Sequence, residues 1–323
     1  MGKDRKKKVH VHKGRVAIAM TCIAFVICIA DGLKRNIFIP DTPGSVVVEG
    51  EFDKKYDANG QLATMPTTVG GESEPSTDFV QNEGFKEENI PADKVKEGDL
   101  VIVNEEHPVN PADKSDLVDL LEFRNEYYTL ADEGIYLKKD AAEALNSMMA
   151  DYNDATGLND FIVYGTTETF TGTGSYCPRY FQERVTGNTI DLALNGAGMV
   201  LSYDGEDDEG WIVDNCYKYG FIVRYPKDKS EKTGEEYCPW HLRYVGKVHA
   251  ENMHATGMCL EEYVEYLKGY NASAPLKVTV NYADCSIYYI KSEGDITVGL
   301  LPIGGAYDIS GNNIDGFIIT RYN

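Results

Sequence analysis

The sequence predicts an α+β domain with a small C-terminal β extension, behind an N-terminal membrane anchor. Three observations carry that expectation. Apolar residues recur at helical spacing between Leu137 and Gly157, and strand-like runs alternate with helix signals from Leu100 to Leu267. From Ala274 onward the chain alternates apolar and polar residues and is punctuated by Gly and Asn, as strands and tight turns require.

The N-terminus is basic. Nine Lys and Arg against Asp4 and Asp31 give the first 35 residues a balance of +7, leaving -28 for the rest of a 323-residue chain whose net charge is -21. So acidic a remainder excludes nucleic acid as a partner, because phosphate contacts need clustered cations. Val16 to Ala30 is an uncharged apolar run, which Gly32, Leu33 and the stems of Arg15 and Lys34 extend toward a bilayer span of ~20 residues. Residues 16–33 therefore read as an uncleaved signal-anchor after a basic cytoplasmic tail at 1–15, with a cleaved signal peptide as the alternative. Cations ahead of the span place the remainder outside the cytoplasm, so the expected location is the plasma membrane, single-pass, with an extracytoplasmic C-terminal domain.

Residues 34–98 are rich in turn formers (DTPGS, DANGQ, TTVGGESEPSTD) and read as a linker. The folded region opens with LVIVN, Leu100 to Asn104, as a short strand. Ala141, Ala144, Leu145, Met148, Met149 and Tyr152 then mark one face of a helix that Gly157 ends. FIVYGTTETF and TIDLAL read as strands, GWIVDNCYKYG as a short helix capped by Gly220, FIVRYP as a strand and CLEEYVEYL as a helix. This gives a domain at 99–268 and a β-rich extension at 269–323. Cys177, Cys216, Cys238, Cys259 and Cys285 show no CxxC spacing, which leaves a zinc ribbon or a thioredoxin-like motif without support.

HExxH, GxSxG, SxxK and phosphate-binding glycine patterns are all missing from the sequence. Two segments carry chemistry instead: QERVTGNTIDL, Gln182 to Leu192, and EEYCPWHLRYVG, Glu235 to Gly246. Together with YGFIVRYP, Tyr219 to Pro226, they resemble the VanY-type D-alanyl-D-alanine carboxypeptidases, zinc peptidases of the hedgehog-like fold. The resemblance spans about Asp99 to Leu267. It implies a metal site made by a histidine and an aspartate from SEHxTGxAxD and a histidine from EPWH, whose glutamate is the base. Three ligands and an open position let zinc acidify a water, and the carboxylate takes the proton.

Carried over position by position, the resemblance puts Asp191 and His241 at two ligand positions and Arg184 at the position of the ligand histidine. Cys238 stands where the base glutamate is expected, and Thr167 falls at the place of an arginine that binds the substrate carboxylate. Trp240 is a wall residue of the cleft and a candidate substrate contact. Arginine keeps its proton and offers no lone pair, so Arg184 cannot ligate a metal. The resemblance so modified implies a pseudoenzyme of the bacterial cell envelope, without cofactor, that binds a peptidoglycan stem peptide or an envelope protein. It also predicts an Arg184–Asp191 ion pair. Two alternatives stay open: an active zinc D,D-carboxypeptidase with a rebuilt Asp191/Cys238/His241 site, and a structural or adhesive ectodomain. His249, His254 and His107 read as packing or surface histidines, and Asp204, Asp207 and Asp208 as a solvated acidic loop rather than a calcium loop.

Overall fold

The computed structural model describes residues 84–164, 182–196, 198–206 and 210–323. The anchor, most of the linker, Cys177, Thr167, Asp207 and Asp208 lie outside them. Among the described residues, no helix is long and apolar enough to cross a membrane.

In chain order the elements are β1 (Phe85–Pro91), β2 (Leu117–Asp119), α1 (Leu120–Phe123), β3 (Thr129–Leu130), β4 (Tyr136–Lys138), α2 (Lys139–Thr156) and β5 (Phe161–Tyr164). Next come β6 (Thr189–Gly196), β7 (Met199–Ser202), α3 (Trp211–Asn215), β8 (Phe221–Tyr225), α4 (Ser230–Thr233) and β9 (Cys238–Tyr244). Helices α5 (Lys247–Thr256) and α6 (Leu260–Leu267) lead to β10 (Leu276–Val280), β11 (Ala283–Lys291), β12 (Ile296–Pro302), β13 (Ala306–Gly311) and β14 (Gly316–Tyr322).

The central sheet runs β3-β5-β6-β9-β8, with β7 also paired to β6. Its middle strand β6 is buried from Thr189 to Ala193, because β5 and β9 flank it and α2 covers it. Helix α2 buries Ala141, Leu145, Met148, Met149 and Tyr152 against Phe161, Val163 and Leu192. It ends where Gly157 turns left-handed at φ 75°, a conformation that costs glycine nothing. Helix α6 starts with a capping box, in which the Glu262 carboxylate accepts from the Cys259 N–H at 3.1 Å.

Three local expectations are corrected. Phe85–Pro91, assigned to the linker on composition, is a strand that pairs antiparallel with β12 along its whole length. Its alternation is weak because only Ile90 is buried. Leu100 to Val103 of LVIVN are buried, yet the segment is no strand. Its backbone is satisfied piecemeal instead, with Leu100 N–H donating to Ser310 Oγ at 2.9 Å and Ile102 N–H donating to Asn312 O at 3.1 Å. Lys247–Thr256 is a helix that the mixed polar sequence VHAENMHAT concealed, although it buries Val248, His249, Ala250 and Met253.

The C-terminal strands form their own sheet, β10-β11-β14-β13. Leu276, Val278, Val280, Ile287 and Ile318 of that sheet share one apolar core with Val248, Met253, Leu260, Val264 and Leu267 of α5 and α6. Gly98 marks how close the approach is. At φ +114°, a Cβ there would lie 2.7 Å from Ser310 Cα, so only glycine lets the two backbones meet.

Candidate active site

The site is built where β6 and β9 run side by side. Asp191 and His241 are direct cross-strand partners in the antiparallel ladder, which brings their side chains together on one face. The loop before β6 is a single turn, Gln182–Thr186, that presents Glu183 and Arg184 beneath those two residues. Thr186 Oγ1 closes the turn by donating to Glu183 O at 2.7 Å. Gly187, at φ +71°, lets the chain enter β6, since a Cβ there would meet Leu117 Cδ2 at 2.5 Å.

All four side chains are sealed from solvent, with Arg184 and Asp191 each 1% exposed and Glu183 and His241 0%. Arg184 Nη2 donates to Asp191 Oδ2 in a buried ion pair, as the sequence led one to expect. His241 lies between two carboxylates: Nδ1 donates to Asp191 Oδ1, and Nε2 donates to Glu183 Oε1 at 2.8 Å. A carboxylate can only accept, so both ring nitrogens carry protons and the ring is an imidazolium. Burial works against that charge, but the charge and hydrogen bond of Asp191 and those of Glu183 hold the His241 pKa above its ordinary value.

Below His241, Glu183 collects cations. Arg224 Nε donates to its Oε2 at 3.2 Å, Arg243 Nη1 donates to the same oxygen at 2.9 Å, and Tyr225 OH donates to Oε1 at 3.3 Å. Burial would raise the Glu183 pKa, but Arg224, the His241 hydrogen bond and Arg243 together keep it well below the usual carboxylate range. Arg224 also grips Glu261 of α6 through both terminal nitrogens, with Nη1 donating to Oε2 at 3.0 Å. Arg243 reaches back to the buried segment at Asp99 and Val101. The result is a chain of alternating charges from Arg184 through Asp191, His241, Glu183 and Arg224 to Glu261.

Of the residues singled out in the sequence, the structure gathers Arg184, Asp191 and His241. Cys238 is buried in the apolar core with Trp240, Leu242 and Tyr225. Trp240 is 9% exposed and meets His241 edge-on at 5.8 Å between centroids. Sequence reasoning gave no role to Glu183, Arg224, Arg243 or Glu261. The signal was there in FIVRYP and HLRYV, where an arginine inside an apolar strand run needs a buried anion.

The donor set does not suit a zinc ion as arranged. Zinc needs neutral imidazole and free carboxylate lone pairs, whereas both His241 nitrogens are spent on carboxylates and the Asp191 carboxylate binds a guanidinium. Among the described residues, which include Asp191, Cys238 and His241, no three His, Cys, Asp or Glu side chains converge as a metal group.

Residues 181–247, which contain this whole cluster except Glu261, match the family model described as "VanY: D-alanyl-D-alanine carboxypeptidase". A D-alanyl-D-alanine carboxypeptidase of Enterococcus faecium is 34% identical over 255 residues, covering 75% of this chain and 80% of the relative. The chain belongs to the D-alanyl-D-alanine carboxypeptidase family. An Enterococcus faecalis protein of the same name is 28% identical over 228 residues, covering 63% of this chain and 79% of its own length. The fold agrees. The solved structure of the vancomycin resistance D,D-dipeptidase VanXYg, in complex with a D-Ala-D-Ala phosphinate analog, superposes with a TM-score of 0.61 at 26% identity, covering 74% of this chain and 99% of that one. Within this carboxypeptidase frame, the buried ionic chain joins the strands that carry the site to α6 and to the Asp99 segment.

Proposed function

We propose that this chain is a catalytically silent member of the D-alanyl-D-alanine carboxypeptidase family. In this reading it binds a peptidoglycan stem peptide or an envelope protein at the outer face of the plasma membrane, tethered by residues 16–33. The observation that supports silence is the Arg184–Asp191 ion pair. Arg184 stands at the expected position of a ligand histidine, and its guanidinium is bound to the carboxylate expected to ligate zinc. A protein-borne cation replaces a bound one. Loss of the base deepens it, because a thiol at Cys238 lacks the two-oxygen carboxylate that holds and relays a water proton. Support for a cell-wall ligand comes from relatives named for D-alanyl-D-alanine and from VanXYg, solved with a D-Ala-D-Ala analog.

The test is zinc content and D-alanine release of the purified full-length protein, beside the double variant Arg184→His with Cys238→Glu. The expected result is no stoichiometric zinc and no release from the wild type, with zinc regained by the double variant. Stoichiometric zinc in the wild type, with hydrolysis of a D-Ala-D-Ala peptide that Cys238→Ser abolishes, would establish the rebuilt Asp191/Cys238/His241 peptidase instead.

A further inference from the structure

A row of polar side chains crosses the C-terminal sheet. Strand β14 lies between β11 and β13. Arg321 of β14 is opposite Ser286 of β11 and Tyr307 of β13, and direct cross-strand partners share one face of a sheet. Phe317 and Ile319 alternate onto the same face of β14, where they share a core with Ile90 and Leu301 of the β1–β12 pair. The Arg321 row is the next one along the strand, beside Phe85, with the guanidinium carbon 6.0 Å from that ring's centroid. Phe85 in turn meets Tyr288 edge-on at 6.0 Å, and the charge of Arg321 opposes the upward shift that burial gives the Tyr288 pKa.

All three members of the row can donate. Arg321 forms no hydrogen bond or ion pair with any described residue, whereas Arg124, Arg184, Arg224 and Arg243 each have acceptors. Its Nε is enclosed without an acceptor, and the half-buried side chain turns its terminal nitrogens toward solvent. A guanidinium partly withdrawn from water beside aromatic rings calls for an anion. The Tyr307 hydroxyl has no partner among the described residues, and Ser286 Oγ accepts from Asn323 Nδ2 at 3.0 Å, which leaves its own proton to give. Nearby carboxylates are engaged elsewhere: Asp284 accepts from Thr279 Oγ1 at 2.7 Å, Asp308 from Tyr322 OH at 2.6 Å, and Glu88 pairs with Lys86.

We infer that the Ser286–Arg321–Tyr307 row binds a carboxylate carried on an apolar body. The carboxylate lies bidentate on the two terminal nitrogens of Arg321, the two hydroxyls donate to its remaining lone pairs, and the body rests against Phe85. A planar monoanion suits a single guanidinium fork. A phosphate dianion would bring a second charge, with no free cation in the row to meet it and Asp284 on the same face to repel it. The row belongs to the C-terminal sheet and Asp191 to the central one, so the inference does not depend on whether the Asp191–His241 site is silent.

The test titrates the full-length protein with 3-phenylpropionate and follows the nuclear magnetic resonance signal of Arg321 Nε–H, identified by its loss in Arg321→Lys. A saturable shift is expected, with a midpoint of about 1 mM, as one bidentate pair and one ring contact allow. The uncharged 3-phenylpropanamide should give no saturable shift, and acetate, which lacks the body, should need about tenfold more. Tyr307→Phe keeps the ring and removes only the hydroxyl, so it should weaken binding about threefold with the melting temperature unchanged. If Arg321→Lys fails to fold, the signal is assigned through its own side-chain correlations and the titrations of wild type and Tyr307→Phe decide. No saturable shift with 3-phenylpropionate, equal binding of the amide, tighter binding of inorganic phosphate, or unchanged affinity in Tyr307→Phe would each overturn the inference.

Discussion

Two buried regions hold this domain together by opposite means. Under the site, β6, β9, β8 and α6 are joined by a chain of charges running from Arg184 to Glu261. At the seam between α5, α6 and the C-terminal sheet, the joint is largely apolar, and His249 is one of the polar residues buried in it. That imidazole lies between Tyr263 Oη and Thr320 Oγ1, each at 2.9 Å. Burial of an ionic chain is weak evidence for stability in itself, since desolvation offsets much of the attraction. Its geometry is demanding, however, and any one missing partner leaves a charge buried alone. The apolar seam is tolerant of detail and sensitive to area. The difference predicts how each region fails.

The largest effect should come from removing the seam. Deleting Ala274 to Asn323 takes away β10 to β14 and exposes Val248, Met253, Leu260, Val264 and Leu267, each nearly buried in the intact protein. At about 2 kcal/mol per large apolar side chain, the exposed set is worth about 10 kcal/mol, comparable with the whole stability of an ordinary domain. The truncated chain should lose its cooperative thermal transition in circular dichroism. A truncation that melts as sharply as the intact chain would show that the rest of the domain folds without the C-terminal sheet.

The next effect tests the ionic chain at its hub. Glu183→Gln keeps the shape but withdraws the anion on which Arg224, Arg243 and His241 converge. Breaking a buried pair by removing one partner costs about 3–5 kcal/mol. The urea midpoint should fall accordingly, with the slope of the transition unchanged. A change below about 1 kcal/mol would mean that the cations relax to other partners and that the chain is not held as a unit.

How much of this was legible in the sequence depended on the interaction involved. Periodicity revealed α2 and α6, because one apolar face against a core leaves a pattern readable over three turns or so. The Arg184–Asp191 pair was legible because the family resemblance put both positions at one ion. Glu183 stood in the same quoted segment and was passed over, since its partners, Arg224 and Arg243, are 41 and 60 residues away. Long-range polar partners leave no local period. Phe85–Pro91 was missed for a related reason, as its pairing strand, β12, begins some 200 residues later and its own outer face is polar.

The smallest effect sharpens the comparison at His249 in the seam. Burial lowers the His249 pKa to about 4, with a minor opposing contribution from the charge of Asp99. The unfolded chain has an ordinary histidine there, near 6.5. Between those values the unfolded state binds the extra proton, so stability rises with pH across that window. The contribution is complete above about pH 6.5 and is lost as the pH falls through about 4, amounting to about 3 kcal/mol in all. His249→Gln keeps hydrogen-bonding atoms toward Tyr263 and Thr320 but cannot titrate. Subtracting its unfolding free energy from that of the wild type, from pH 7.5 to 4, cancels the slopes both proteins share from their carboxylates. The difference should fall steadily below pH 6.5. A flat difference would mean that His249 is protonated without penalty, and the seam would then be no more apolar at its centre than the charged chain beneath the site.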